Sequence, residues 1–157
     1  MRRTLVIIKP DAVNRCLVGE VIKRFENKGL KILGLKMVKL KPYTLKEHYA
    51  HHKDKAFFKE LISYMSSIPS IAMVLEGKDA VKVVRKMVGS TQGREAEPGT
   101  IRGDYSVSNQ NNIVHASENE EKAEEEIKRF FTEEEINSYN KMNFDWIYSK
   151  DERYLKK

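Results

Sequence analysis

Two hydrophobic periodicities alternate along this chain, and their order limits the folds open to it more than any other feature. Residues 4–8, TLVII, are a short run rich in β-branched side chains closed by Lys9-Pro10-Asp11, which predicts a buried strand. Asp11 then stands where a helix cap would. Val18, Val21, Ile22 and Phe25 recur at i, i+3, i+4 and i+7, one face of a helix, and Gly29 is its expected stop. Residues 30–40 predict a second strand whose alternation fails at Gly34, as at a bulge. Helices are expected over 44–52 and 57–66, a third strand over 70–75, and a helix over 79–88 with Val81, Val84 and Val88 on one side. A long stretch, 89–104, holds four glycines and one proline. Loops of that length inside a compact domain are usually functional. A short fourth strand over 112–115, a helix over 120–131 and a charged tail complete the chain.

The order is β-α-β-α-α-β-α-loop-β-α. It approaches the split β-α-β pattern of ferredoxin-like type, an α+β sandwich with a four-stranded antiparallel sheet and added helices. The 157 residues suggest one domain, 1–157, with a tail over 146–157. A chain of this length buries roughly 70% of its unfolded surface and needs no disulfide to hold a core. Cys16 is the sole cysteine, which fits a reducing compartment. The apolar run at 5–8 is too short for a signal-peptide core, and no stretch approaches the roughly 20 residues of a membrane span. The expectation is a soluble, cytoplasmic protein with no membrane contact.

The formal net charge is +6. Residues 118–126 contain six glutamates and one lysine, so the rest of the chain carries 28 Lys and Arg against 17 Asp and Glu, net +11. A basic body suits an anionic partner, either nucleic acid or a polyphosphate small molecule.

Several chemistries are excluded by absence. The sequence has no G-x-x-x-x-G-K-[ST] loop, no G-x-G-x-x-G, no protein-kinase H-R-D or D-F-G, and no C-x-x-C. His48, His51 and His52 fall at i, i+3, i+4, but H-E-x-x-H is missing and a metal site needs further ligands. They are expected to be solvated helix histidines, with no metal held there.

The acidic helix is more informative. Ala123, Glu126, Ile127 and Phe130 lie on one face, so Glu126 sits in the stripe that should point inward. A buried carboxylate needs a designated donor. His115, at the end of the strand that feeds this helix, is the nearest candidate. A carboxylate on one imidazole nitrogen fixes the tautomer and leaves the other lone pair free, as a nucleophilic histidine requires. The bland alternative is a half-buried glutamate and a structural histidine. Lys9, Arg85 and Arg102 are three cations from three chain regions that could converge on a phosphate chain. Periodicity does not show whether they do.

The stretches VIIKPDAV (6–13), KEHY (46–49), FF (57–58), GTIRGD (99–104) and NNIVHAS (111–117) together resemble the nucleoside diphosphate kinase family, in order and from about residue 3 to 148. The resemblance implies a ferredoxin-like domain and a ping-pong phosphoryl transfer between nucleoside tri- and diphosphates, balancing nucleotide pools. By the same resemblance His115 is the phosphorylated nucleophile and Glu126 the acid that holds its ring. Tyr49 and Ser117 match residues hydrogen-bonded close to that ring. Lys9 lies near ribose and phosphates, Arg85, Thr91 and Arg102 clamp phosphates, and Asn112 contacts the ribose. Phe57 is the platform on which the base stacks, Leu61 also belongs to the nucleotide site, and stacking tolerates every base. Mg2+ is the implied cofactor, carried on the nucleotide phosphates without direct protein ligands.

The chain departs from the family pattern at Cys16, Ala56, Asn109 and Glu118. In this family longer tails accompany hexamers, so residues 146–157 imply a hexamer built from dimers. A nucleic-acid-binding module and a regulatory homologue without activity are the competing readings. No aromatic-rich RNA-binding strand is present and every transfer residue is kept, so nucleic acid is not required.

Overall fold

β1 (Arg2–Ile8) is the strand on which both halves of the core are built. Its residues are alternately committed to two faces, and from Thr4 to Ile8 all are buried. The structure, a computed structural model, describes residues 1–153. After β1 come α1 (Pro10–Asn14), α2 (Val18–Asn27), β2 (Lys31–Val38), α3 (Pro42–His48), α4 (Phe58–Ser67), β3 (Ser70–Gly77) and α5 (Ala80–Val88). Then follow α6 (Ile101–Tyr105), β4 (Val114–Ala116), α7 (Glu120–Phe130), α8 (Phe144–Ile147) and α9 (Lys150–Arg153).

The four strands form one antiparallel sheet in the order β2-β3-β1-β4. This is the ferredoxin-like α+β arrangement expected from the order of periodicities. The register between β2 and β3 shifts between Ile32 and Gly34, where the sequence alternation fails. Strand side chains alternate between faces. Val6 and Ile8 therefore join Met73, Leu75, Phe25 and Val84 in one apolar cluster, while Leu5 and Ile7 join Val74, Leu45, Met65 and Phe130 in the other. Helices α2 and α5 contribute to the first cluster, and α3, α4 and α7 to the second.

Several boundaries differ from expectation. The helix expected over 44–52 starts at Pro42, whose fixed φ suits a first helical turn, and ends at His48, with a separate 3-10 turn over Ala50–His52. The long glycine-rich stretch is not one loop. It contains a 3-10 turn (Gly93–Glu95) and α6, so Arg102 rides on a short helix rather than between turns. Asp11 does not cap α1. Lys9 takes that position, and the Asp11 carboxylate accepts instead from the Ile113 amide at 3.0 Å and from the Tyr64 hydroxyl. The charged tail holds α8 and α9, and its residues 154–157 lie outside the described residues.

Two glycines test the packing. A Cβ on Gly103 would lie 2.1 Å from the Glu97 carbonyl oxygen, whereas one on Gly19, in α2, would meet nothing within 4 Å. Gly103→Ala should cost about 1–3 kcal/mol by forcing the backbone beside Arg102 apart. Gly19→Ala should gain about 0.4–1 kcal/mol by restricting the unfolded chain. Urea unfolding of both variants checks the pair.

Candidate active site

β4 places His115. Its Cα pairs with that of Ile7 in β1, so the imidazole projects to the face shared by Leu5 and Ile7, the one covered by α3, α4 and α7. Ser117, two residues on, returns to the same face and is fully buried. α7 then crosses that face, its N-terminus capped by the Asn119 side chain, which accepts from the Lys122 amide at 2.8 Å. The buried stripe of α7 is Ala123, Glu126, Ile127 and Phe130, and it delivers Glu126 to both His115 and Ser117.

The contacts define the protonation state. Ser117 Oγ donates to Glu126 Oε2 at 2.6 Å, and His115 Nε2 lies 3.1 and 3.2 Å from the two carboxylate oxygens. Burial works to raise the Glu126 carboxyl, but the hydrogen bond and charge of His115 and the hydrogen bond of Ser117 overcome it and hold the group at about 2. An ionised carboxylate only accepts. When the ring is neutral, Nε2 must therefore carry its one proton, and Nδ1 carries the lone pair. The Ser117 oxygen is itself fixed by the Leu5 amide at 3.2 Å.

The approach to His115 is strained. Ile113 has φ of 73°, a left-handed conformation that a β-branched residue rarely takes. It is held there from both sides: its amide donates to Asp11, and its carbonyl accepts from the Lys9 amide at 2.8 Å. Such strain persists only where surrounding structure over-determines it. One result is that Lys9, at the end of β1, and Asn112 meet, with Nζ 2.6 Å from Asn112 Oδ1 and 3.2 Å from the Gln110 carbonyl. Burial pushes the Lys9 ammonium down to about 7, with the Arg102 charge adding to the fall and Asp11 opposing it.

Arg102 is buried at the back of a cleft of about 860 Å³, which Lys9, Arg85, Thr91, Asn112 and His115 also line. Its Nε and two terminal nitrogens donate to the carbonyls of Asn112 (3.2 Å), Gly89 (3.0 Å) and Val114 (2.7 Å). Those three bonds leave two of its five N–H donors for a ligand. Burial and the nearby Arg85 lower the guanidinium to about 10, so it remains a cation at neutral pH. Arg85 projects from α5 beside the buried Val84 and Val88. Thr91 is tied in through its carbonyl, which accepts from Asn112 Nδ2 at 2.8 Å.

At the mouth, Phe57 caps α4 and is 44% exposed, and Leu61 follows one turn later with its side chain buried against the same cleft. Asn109 and Glu118, two of the departures from the family pattern, also line the cleft. Cys16 is exposed with φ of 57°, a conformation that costs a glycine nothing; Ala56 is exposed.

Two sequence expectations fail here. Tyr49 lines the cleft and its ring meets the His115 ring edge-on at 6.3 Å, but its hydroxyl has no hydrogen-bond partner. Burial keeps that hydroxyl neutral by raising it above the ordinary phenol range. His48 is not solvated: it is 5% exposed, and burial, with His115 beside it, lowers its imidazole to about 2. The signal was available, since Leu45, His48 and Tyr49 fall at i, i+3, i+4 and all three are buried. Only His51 and His52 reach the surface, their rings 4.0 Å apart.

Fold and cleft together define an α+β sandwich of ferredoxin-like type with a cationic recess in front of a carboxylate-held imidazole. Residues 2–136 match the family described as Nucleoside diphosphate kinase. The chain is 57% identical over 136 residues to the nucleoside diphosphate kinase of Sulfurisphaera tokodaii, covering 87% of this chain and 92% of that one. It is 51% identical over 150 residues to that of Archaeoglobus fulgidus, covering 96% and 99%. The solved halophilic nucleoside diphosphate kinase of Halobacterium salinarum, in complex with CDP, superposes with a TM-score of 0.92 at 43% identity, covering 94% of this chain and 99% of that one. The chain belongs to the nucleoside diphosphate kinase family and is an enzyme of that kind.

The depressed Lys9 ammonium predicts a stability effect of definite sign. Unfolded, Lys9 keeps its proton up to about 10.5, while folded it loses it near 7. The unfolded state thus binds more protons within that window, and this group's contribution to stability rises with pH across it. The stability difference between wild type and Lys9→Met should therefore move in favour of wild type from pH 7 to 10, as read by denaturant unfolding at each pH.

Proposed function

We propose that the chain carries the γ-phosphate of a nucleoside triphosphate to a nucleoside diphosphate by a ping-pong mechanism, with His115 Nδ1 as the carrier. The observation that supports this most is the Nε2 contact with Glu126, which leaves the Nδ1 lone pair unshared. In the first half-reaction Nδ1 forms a bond to the γ-phosphorus as the bond to the β-phosphate oxygen breaks, and the diphosphate leaves. In the second, a terminal oxygen of another diphosphate attacks the same phosphorus and the N–P bond breaks. One site serves both because the two transfers are chemically alike.

Phosphoryl transfer asks mainly for in-line positioning and charge neutralisation. Lys9, Arg85 and Arg102 supply the charge, and Thr91 adds a hydroxyl. Three backbone carbonyls hold Arg102 before any substrate arrives, so its remaining donors need no reorganisation. Asn112, both of whose amide hydrogens are held by the Thr91 and Asn109 carbonyls, keeps one Oδ1 lone pair beside Lys9 for a ribose hydroxyl, while Phe57 offers an aromatic face and Leu61 an apolar edge for the base. A face that stacks rather than hydrogen-bonds accepts purines and pyrimidines. The CDP in the Halobacterium salinarum relative supports a nucleoside diphosphate in this cleft. The buried Tyr49 hydroxyl has a donor to spare for a phosphate oxygen. Glu126 and Ser117 position the ring without touching the substrate.

Mg2+ arrives on the nucleotide in this reading. The phosphate end of the cleft presents cations, which suit phosphate oxygens rather than a metal. Mg2+ commonly sits on substrate phosphates with waters completing its shell. The enzyme works as one domain in the cytoplasm and balances nucleotide pools, with no need of nucleic acid or a membrane. No helix among the described residues is long and apolar enough to cross a membrane. The exposed Leu35, Met37, Val107, Met142 and Trp146 leave apolar surface for subunit contacts in a homo-hexamer built from dimers; sedimentation equilibrium reads the assembly directly.

His115→Ala should abolish transfer while nucleotide still binds, because the ring's task is covalent. Single-turnover labelling with γ-labelled ATP and Mg2+ should place acid-labile, alkali-stable phosphate on His115, and added GDP should collect it. Turnover surviving in His115→Ala would sink the mechanism. Glu126→Ala should slow phosphorylation roughly 10- to 100-fold, the worth of one charged hydrogen bond. A wild-type rate in that variant would show that the carboxylate does not orient the ring.

A further inference from the structure

His48 has no part in the transfer described above. It ends α3, is buried, and neither ring nitrogen has a hydrogen-bond partner. A buried polar group without a partner is costly, so its presence calls for a cause. Its ring meets that of His115 edge-on at 4.6 Å, and its Nδ1 lies 3.7 Å from Glu126 Oε1. One ligand atom from each of His48, His115 and Glu126 falls within 4.8 Å of the other two. Among the described residues this is the one cluster of three or more side chains so arranged.

We propose that His48, His115 and Glu126 form a binding site for zinc, and that the bound ion switches phosphoryl transfer off. The site itself is independent of the mechanism above; the switching rests on His115 being the phosphate carrier. Two imidazole nitrogens and one carboxylate, with a fourth position open, are the donors of many zinc sites, whereas Mg2+ takes oxygen. Zinc–ligand bonds of about 2.0–2.1 Å in a tetrahedron set ligand atoms about 3.3 Å apart. The 3.1 Å from His115 Nε2 to Glu126 Oε1 and the 3.7 Å from His48 Nδ1 to the same oxygen bracket that spacing. The remaining histidine pair must draw closer, and His48 can turn without breaking a hydrogen bond. Ser117, donating to Glu126 Oε2, is the outer partner that fixes a metal-binding carboxylate. The His115 side chain, 19% exposed, leads from the cluster into the cleft.

Inhibition follows from the tautomer. Zinc takes the Nε2 lone pair, so a neutral ring must carry its one proton on Nδ1. The proton moves from Nε2 to Nδ1 through solvent, with no net gain or loss. The lone pair that would attack phosphorus no longer exists.

The test uses zinc chloride alone on nucleotide-free protein, followed by turnover assays in excess Mg2+. Equilibrium dialysis should find one zinc per chain at this site, and cobalt in its place should give the intense visible absorption of tetrahedral coordination. His48→Phe keeps the packing against Tyr49 and Phe130 and loses no hydrogen bond, and it should weaken zinc binding by at least about tenfold. His48→Gln serves if that variant fails to fold. Zinc should inhibit wild-type turnover reversibly, with a chelator restoring it, and should inhibit the His48 variant at least tenfold less well. Zinc bound equally by the variant, zinc lost instead on replacing His51 and His52 with Ala, or zinc bound without inhibition of an active enzyme would each overturn the proposal. Zinc bound through His48 by a protein that forms no phosphohistidine would instead overturn the mechanism and leave the metal site standing.

Discussion

The buried Glu126 carboxylate is the constraint around which the site is arranged. An ionised carboxylate out of water must be given donors, and β4 and the residue that follows it offer two on that face, His115 and Ser117. Their spacing of two residues sets both on one side of the strand, and α7 crosses where a single carboxylate reaches both. Removing the charge from water is unfavourable; two charge-assisted or hydroxyl hydrogen bonds offset it and leave the group ionised. The same contacts dictate where the ring proton sits. The tautomer of the neutral His115 ring is thus a consequence of how a helix was buried.

The cationic side of the cleft is prepared by similar means. Lys9 and Arg102 are buried, and burial alone would drive charge out of both. Backbone and amide carbonyls hold them in place instead. The Ile113 strain belongs to this arrangement. Its amide and carbonyl are pinned by the Asp11 side chain and the Lys9 amide, which draws the chain before β4 against the end of β1 and brings Asn112 to Lys9. A lysine near its titration point and an arginine with two uncommitted N–H donors thus lie in one cleft.

His48 shows how one group can complicate that design. An aromatic residue would pack in its place with no unpaired nitrogen. The imidazole instead adds a second nitrogen donor beside a carboxylate that already holds one ring. In the zinc reading, oxygen-preferring and nitrogen-preferring metals would take different places: substrate phosphates for the first, the ring cluster for the second.

Periodicity by itself determined the four strands, the longer helices and the inward face of Glu126, because alternation of two and recurrence near 3.6 are local properties of the chain; the short α1, α6, α8 and α9 escaped it. The bulge at Gly34 was legible for the same reason. The motif set from VIIKPDAV to NNIVHAS carried the family. Local signals misled where contacts came from far away in sequence. Asp11 looked like a helix cap and is instead bound to Ile113 and Tyr64, and Arg102 looked like a loop residue and lies on α6. His48 looked like a surface histidine until α7 covered it. Only the tertiary structure decided that Lys9, Arg85 and Arg102 share one cleft, that Tyr49 keeps a free hydroxyl and that His48 stands against Glu126. Those facts depend on which faces of separate elements meet, and no single stretch of the chain contains that information.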